Sequence, residues 1–300
     1  MREVGDSSAH YLCVKSSGRC AQLNAIEFTV VVALGSFLGG LLGALTGLGG
    51  GVIVVPLLTL AFGVDIRYAI GASLVSVIAT SSGAAAAYLR EGYSNMRVGM
   101  FLEMATTVGA ISGAMLAEHL PTSTIAIVFG VVLLYSAWNS SRERDELPTA
   151  QPPDKIATFL RMDSDYPTRE GRIAYHVRRV PLGFALMYVA GVISGLLGIG
   201  SGSIKVLAMD QAMKLPFKVS TTTSNFMIGV TAAASAGIYL HRGYIDPTLA
   251  MPVMLGVLGG ALLGARILPG AKVKTLRLVF GVVIAAVAVE MMYQGIRGHM

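Results

Sequence analysis

Two glycine-rich runs of similar make-up, Gly47-Leu48-Gly49-Gly50-Gly51 and Gly198-Ile199-Gly200-Ser201-Gly202, each precede an apolar stretch of about a dozen residues. Such runs break a helix and free backbone N–H groups where the next helix starts, and the helix dipole adds partial positive charge there. That end suits an anion. Lys205 lies four residues into the second short stretch. An ammonium in hydrocarbon costs about 2.5–3.5 kcal/mol on insertion scales, and the same dipole repels it. Something negative must stand beside it. Asp210 is five positions away, off the spacings that bring helical side chains together, which leaves a substrate anion or Glu103 from an earlier segment. The run Ser220-Thr221-Thr222-Thr223-Ser224-Asn225 adds hydroxyl and amide donors, with Ser224 and Asn225 deepest, and Ser73 stands at the matching place earlier in the chain. Glu103 lies about two turns inside from Arg97, where an ionisable group is a candidate proton carrier.

The candidate anion site therefore comprises Gly49, Gly50, Gly51, Ser73, Gly200, Ser201, Gly202, Lys205, Ser224 and Asn225, with Glu103 as a proton-coupling group. Structural roles stand beside these functional ones. The glycines could serve only close helix packing, the hydroxyls could bond to their own helix carbonyls or to a neighbouring helix, Lys205 could snorkel to an interface or sit deprotonated, and Glu103 could snorkel toward Arg97.

The elements that hold these residues are membrane segments. Of 300 residues, 54% are hydrophobic and 13% charged, with mean hydropathy +0.66. A soluble domain carries about 25% charged residues. The apolar residues come in runs of about 20, the length that crosses a hydrocarbon core roughly 30 Å thick. Five segments, at about 25–46, 51–63, 67–89, 97–119 and 122–138, precede a polar, proline-containing linker, and five follow it at about 181–197, 202–213, 217–240, 247–268 and 273–294. The linker reads as surface loop with at most short helices. The expected division is an external tail at 1–24, a first membrane repeat at 25–138, a cytoplasmic linker at 139–180, a second repeat at 181–294 and a C-terminal tail at 295–300. The first spanning helix is expected to act as an uncleaved anchor, because residues 1–24 lack a compact apolar stretch with a cleavage site.

Sliding the chain by 151 residues lays one glycine run on the other and Tyr88-Leu89-Arg90-Glu91-Gly92-Tyr93 on Tyr239-Leu240-His241-Arg242-Gly243-Tyr244, with 13 of 47 columns identical between Gly47 and Tyr93. This is an internal duplication of the kind found in transporters. The second segment of each half is too short to cross alone, so each half reads as a helix plus a glycine-broken half-helix, re-entrant or spanning, followed by three transmembrane helices. An odd number of crossings inverts the halves. Sixteen basic residues then share the linker's side and six the side of the termini, which places the linker in the cytoplasm. The fold class is thus an all-α polytopic protein of the inner or plasma membrane, built from two inverted repeats.

The net charge of +6 reads as membrane orientation, not nucleic-acid binding. No histidine or cysteine falls mid-membrane and no HExxH or P-loop is present, so neither an enzyme nor an ATP-driven pump is indicated, and no cofactor or metal is called for. Cys13 and Cys20 are the only cysteines, and whether they pair is left open.

Gly47-Leu48-Gly49-Gly50-Gly51-Val52-Ile53-Val54-Val55-Pro56 and Gly198-Ile199-Gly200-Ser201-Gly202-Ser203-Ile204-Lys205-Val206, each followed by a helix containing Ser or Thr, resemble the duplicated module of the sulfite exporter TauE/SafE family. The likeness covers about residues 26–294. The second copy departs from the pattern at Ser201, in place of the middle glycine, and at Leu207, where Pro56 stands in the first. The resemblance implies transport of sulfite, a sulfonate or a related sulfur-containing anion. The partners expected are a small anionic substrate, the lipid bilayer and a coupling proton or sodium ion, with homo-oligomer formation open. The competing readings are a passive anion channel and a non-transporting membrane scaffold.

Overall fold

Long runs of Ala, Gly, Val, Leu and Ile leave the backbone no polar partner in hydrocarbon except itself, and helices are the form that satisfies it within one segment. The structure, a computed structural model, describes residues 12–16, 19–23, 25–46, 50–91, 94–140, 154–168, 171–200, 202–267 and 273–298. The first half contains α1 (Ala25–Thr46), α2 (Gly51–Pro56), α3 (Ile66–Glu91), α4 (Met96–His119) and α5 (Thr122–Ser140). After a short α6 (Lys155–Phe159), the second half contains α7 (Val180–Leu197), α8 (Gly202–Leu207), α9 (Phe217–His241), α10 (Pro247–Ile267) and α11 (Val273–Arg297). Each short helix, α2 and α8, runs on into one π-helical turn, Leu57–Ala61 and Ala208–Ala212. These elements match the expected segments to within three residues. α11 continues to Arg297, into the stretch expected as a C-terminal tail.

By length and composition, Met96–His119, Val180–Leu197 and Pro247–Gly264 are able to cross a membrane. On α4 the exposed apolar residues Met100, Met104, Val108, Ile111 and Met115 recur every three or four positions, an outward stripe suited to lipid.

The chain is not purely helical. β1 (Leu12–Ser16) pairs antiparallel with β2 (Arg19–Leu23), and β3 (Ser164–Thr168) with β4 (Gly171–Tyr175). In the first ribbon Cys13 faces Gln22 and Cys20 faces Lys15, so the cysteines are diagonal neighbours. The second ribbon corrects the expectation that the linker holds short helices at most. Together with α6 it packs on one end of the bundle, where Ala157, Met162, Tyr166, Tyr175 and Val177 join Val98, Leu102, Met209 and Met213 in one apolar cluster. Asn95 is its fastener. It caps α4 by accepting from Val98 N, donates through Nδ2 to the Met162 carbonyl and the Tyr175 hydroxyl, both at 2.8 Å, and its backbone N–H donates to Thr223 Oγ1.

α2 folds back along α1. The Phe28 and Phe62 rings meet edge to face at 5.8 Å, Leu57 covers Gly35, and Ile53 covers Gly39. The second half repeats the arrangement, with Met213 over Gly183 and its carbonyl accepting from Arg178 N. Each such hairpin packs chiefly on the third long helix of the other half, α1 on α10 and α7 on α4. The crossings are parallel and glycine-lined. A Cβ at Gly109 or Gly113 of α4 would strike the Tyr188 or Val192 carbonyl of α7, and one at Gly191 or Gly195 of α7 would strike the Thr106 or Ala110 carbonyl of α4. Gly256 and Gly260 of α10 meet the Ala33 and Phe37 carbonyls of α1 in the same way. Small residues four apart let backbones approach to this distance. α3 against α9, and α5 against α11, complete the bundle.

Candidate functional site

The two glycine breaks meet in the core. Gly198 ends α7 in the left-handed conformation (φ 67°), with its N–H bonded to the Ser194 carbonyl. Its own carbonyl accepts from Ser73 Oγ of α3 at 2.9 Å, and that hydroxyl also lies 3.4 Å from the carbonyl of Gly51, the first residue of α2. At the matching position of the second repeat, Ser224 Oγ of α9 donates to the carbonyl of Gly202, the first residue of α8, at 3.3 Å. Both serines are buried and each ties a long helix to the start of a half-helix. Val77 and Ile228, also 151 residues apart, crowd the breaks: a Cβ at Gly51 would meet Val77, and one at Gly200 (φ 71°) would meet both. Gly50 is pressed against Val257 of α10. Close packing and an interrupted helix thus coexist at these glycines.

Lys205 is fully buried. Helical side chains lean toward their own N-terminus. Gly202 lies against Ser224 and Ile228, whereas Lys205, further along α8, reaches back to Thr231. The ammonium donates to Thr231 Oγ1 at 2.5 Å, and Thr231 Oγ1 donates to Glu103 Oε1 at 2.7 Å. Thr106 Oγ1 donates to Glu103 Oε2 at 2.9 Å and Thr107 Oγ1 lies 3.3 Å from Oε1. Of the two negative partners left open by the sequence, the structure supplies Glu103, through a bridging hydroxyl. Lys205 does not snorkel to an interface.

Of the sequence-derived residues, Gly50, Gly51, Ser73, Gly198, Gly200, Gly202 and Ser224 come together at the breaks, and Lys205 joins Glu103. Asn225 is half-buried beside Ser224. Gly47, Gly49 and Ser201 lie outside the described residues. Thr221 and Thr222 donate to the Phe217 and Lys218 carbonyls of their own helix, the structural alternative for that run. Thr231 escaped notice, although Thr80 and Thr231 form one of the identical columns of the duplication. Two further groups are new. Ser194 Oγ, fully buried four residues before Gly198, has no hydrogen-bond partner among the described residues. Tyr239 bonds to the Gly195 and Leu196 carbonyls at the end of α7, which accounts for one tyrosine of the repeated motif.

Among known proteins, the chain is similar to the "Probable membrane transporter protein YunE" of Bacillus subtilis (strain 168), 26% identical over 278 residues that cover 90% of this chain and 99% of that protein. It is also similar to the "Probable membrane transporter protein YdhB" of the same organism, 28% identical over 79% of this chain and 89% of the relative. The "Probable membrane transporter protein MJ0441" of Methanocaldococcus jannaschii is 21% identical over 85% of this chain and 92% of the relative. No solved structure matches. The family model described as "Sulfite exporter TauE/SafE" matches residues 32–291, nearly the whole helical bundle, and the chain belongs to that family.

Proposed function

We propose that the chain is a secondary transporter of a small anion, with sulfite, a sulfonate or a related sulfur-containing oxyanion as the substrate class. The anion binds where the two glycine breaks meet, and the protein works by alternating access between two inverted repeats. The observation that carries this reading is the convergence of both half-helix starts on Ser73 and Ser224, beside a fully buried ammonium. Interrupted helices facing each other in a membrane bundle are where transporters hold charged substrates. The relatives' names and the family support transport, and the family description supports the sulfur chemistry.

The inversion has its own support. The hairpin α1–α2 opens toward the bundle end marked by Phe28, Tyr68, Tyr244 and the 2.6 Å Arg242–Glu118 ion pair. The hairpin α7–α8 opens toward the end marked by Asn95, Arg97 and the linker. The excess of basic residues on the linker side favours a cytoplasmic linker with both termini outward. Fusion reporters at residue 160 and at the C-terminus should report opposite compartments; a shared compartment would refute the inversion.

The function is tested on purified protein with sulfite, sulfate, thiosulfate, taurine and sulfoacetate. A selective ligand raises the unfolding temperature by mass action, and the same compound should be accumulated by proteoliposomes. Flux without accumulation under any ion gradient would make the protein a channel. Neither ligand-induced stabilisation nor flux would leave a scaffold.

A further inference from the structure

The cluster joins Glu103 of the first repeat to Thr231 and Lys205 of the second. At the positions displaced by 151 residues stand Met254, Thr80 and Val54, so the counterpart of the cluster keeps the hydroxyl and lacks both charges. There Thr80 Oγ1 donates to the Ser76 carbonyl at 3.0 Å. A duplicated fold does not need this charge pair in order to pack, since its counterpart packs with apolar side chains. Charged groups kept at such depth mark ion or proton pathways.

We propose that Glu103, Thr231 and Lys205 form a proton-for-anion switch, so that one proton travels with each anion; this rests on the transport reading above. A hydroxyl has one hydrogen to give. With Glu103 ionised, Thr231 gives it to Oε1 and its oxygen accepts from the Lys205 ammonium. A proton arriving from solution on the Glu103 carboxylate turns that group into a donor toward Thr231. The threonine hydrogen then turns to the Met227 carbonyl, already 2.9 Å from Oγ1. Lys205 loses the negative charge that held it and is left as an uncompensated ammonium on the half-helix that starts at Gly202. An anion at the glycine break replaces the lost charge. When the anion leaves on the other side, Lys205 returns to Thr231 and the Glu103 proton is released to the same side. Each cycle moves one anion and one proton, and no bond other than the O–H of Glu103 is made or broken.

Among the described residues, Lys205 is the charge that hydrogen bonds connect to Glu103, through Thr231. On α4 itself Arg97 donates to the Arg161 carbonyl of the linker. α7 contributes Tyr188, whose hydroxyl bonds to Ser112 Oγ. α9 contributes Lys218 in its first turn and Tyr239 and His241 in its last. Asp210 lies in the π-helical turn beyond Lys205.

The test uses wild-type protein with radiolabelled sulfate, thiosulfate and taurine, whose sulfur–oxygen groups keep their charge across neutral pH. In weakly buffered detergent, adding the probe that stabilises the protein should draw one proton per bound anion from a pH-indicator dye. In proteoliposomes with the membrane potential clamped, an inward proton gradient should concentrate that probe about tenfold per pH unit, and a protonophore should abolish the effect. In Glu103→Gln, exchange of internal for external probe should become independent of pH and the gradient should no longer concentrate it. Exchange by wild-type protein with no proton uptake and no response to the gradient would overturn the coupling while leaving transport intact. Gradient-driven accumulation that survives in Glu103→Gln would overturn it as well. If wild-type protein neither binds nor exchanges any probe, the transport reading fails and the coupling with it.

Discussion

Replacing Lys205 by Met keeps roughly the length of the side chain and removes its charge, which strands Glu103. That carboxylate is 7% exposed and would keep the hydroxyls of Thr106, Thr107 and Thr231 without a counter-charge. Removing one partner of a buried pair costs about 3–5 kcal/mol. The loss expected in Lys205→Met is of that size, about 3–5 kcal/mol. In Lys205→Met/Glu103→Leu no charge is stranded and most of the stability should return, while gradient-driven transport should not. Unfolding of purified wild type, both single variants and the double variant gives the coupling energy as a double-mutant cycle. A loss below about 0.5 kcal/mol in Lys205→Met, within the ordinary scatter of neutral substitutions, would refute the pairing.

At the parallel crossing, Gly195→Val would place Cβ against the Ala110 carbonyl and should cost at least about 3 kcal/mol or prevent stable assembly. Gly237→Ala, with open space around the added methyl, should be neutral or stabilising by up to about 1 kcal/mol; thermal unfolding and size-exclusion profiles compare the two. Asn95→Ala removes an N-cap, worth about 1 kcal/mol, and strips a partner from both the Met162 carbonyl and the Tyr175 hydroxyl. It should make the 154–179 segment markedly more sensitive to limited proteolysis while the bundle stays resistant. Burial pushes the Tyr175 hydroxyl up from 10.0 to about 12, so the neutral phenol is the form that docks. Its contribution is complete below pH 10 and lost as pH rises through about 12, readable as delayed tyrosinate absorbance.

Segment existence and length were legible because runs of about 20 apolar residues have few other readings, and the duplication was legible because the glycine breaks recur in register. α1 matches its expected bounds, and the half-helices were recognisable from a length too short to cross. The β3–β4 ribbon was hidden. Pro167 interrupts its first strand, and its alternation is disguised by charges that remain exposed, while Tyr166 and Tyr175 turn inward. At the candidate site, Lys205 and Glu103 stood out because charge is rare in such helices. Thr231 did not, since one hydroxyl in the run Thr231-Ala232-Ala233-Ala234-Ser235 resembles any helix-bonded threonine. Its contact with Glu103 spans 128 residues of sequence, a separation at which local periodicity carries no information.

The exchange of hairpins between halves has a consequence for biogenesis. α1 ends at Thr46, and the helix it packs on most, α10, does not begin until Pro247. At about 5–20 residues per second, those roughly 200 residues take about 10–40 s to synthesise. Over that interval Gly40 and its neighbours on α1 have lipid or the insertion machinery beside them in place of the Val257 backbone. α4 waits far less, because α7 begins at Val180, about 60 residues after α4 ends at His119. The second-half hairpin therefore finds its seat first, and the first-half hairpin, though made earliest, is seated late. A chain released before α10 has emerged carries an unseated α1 and is the species that membrane quality control would meet.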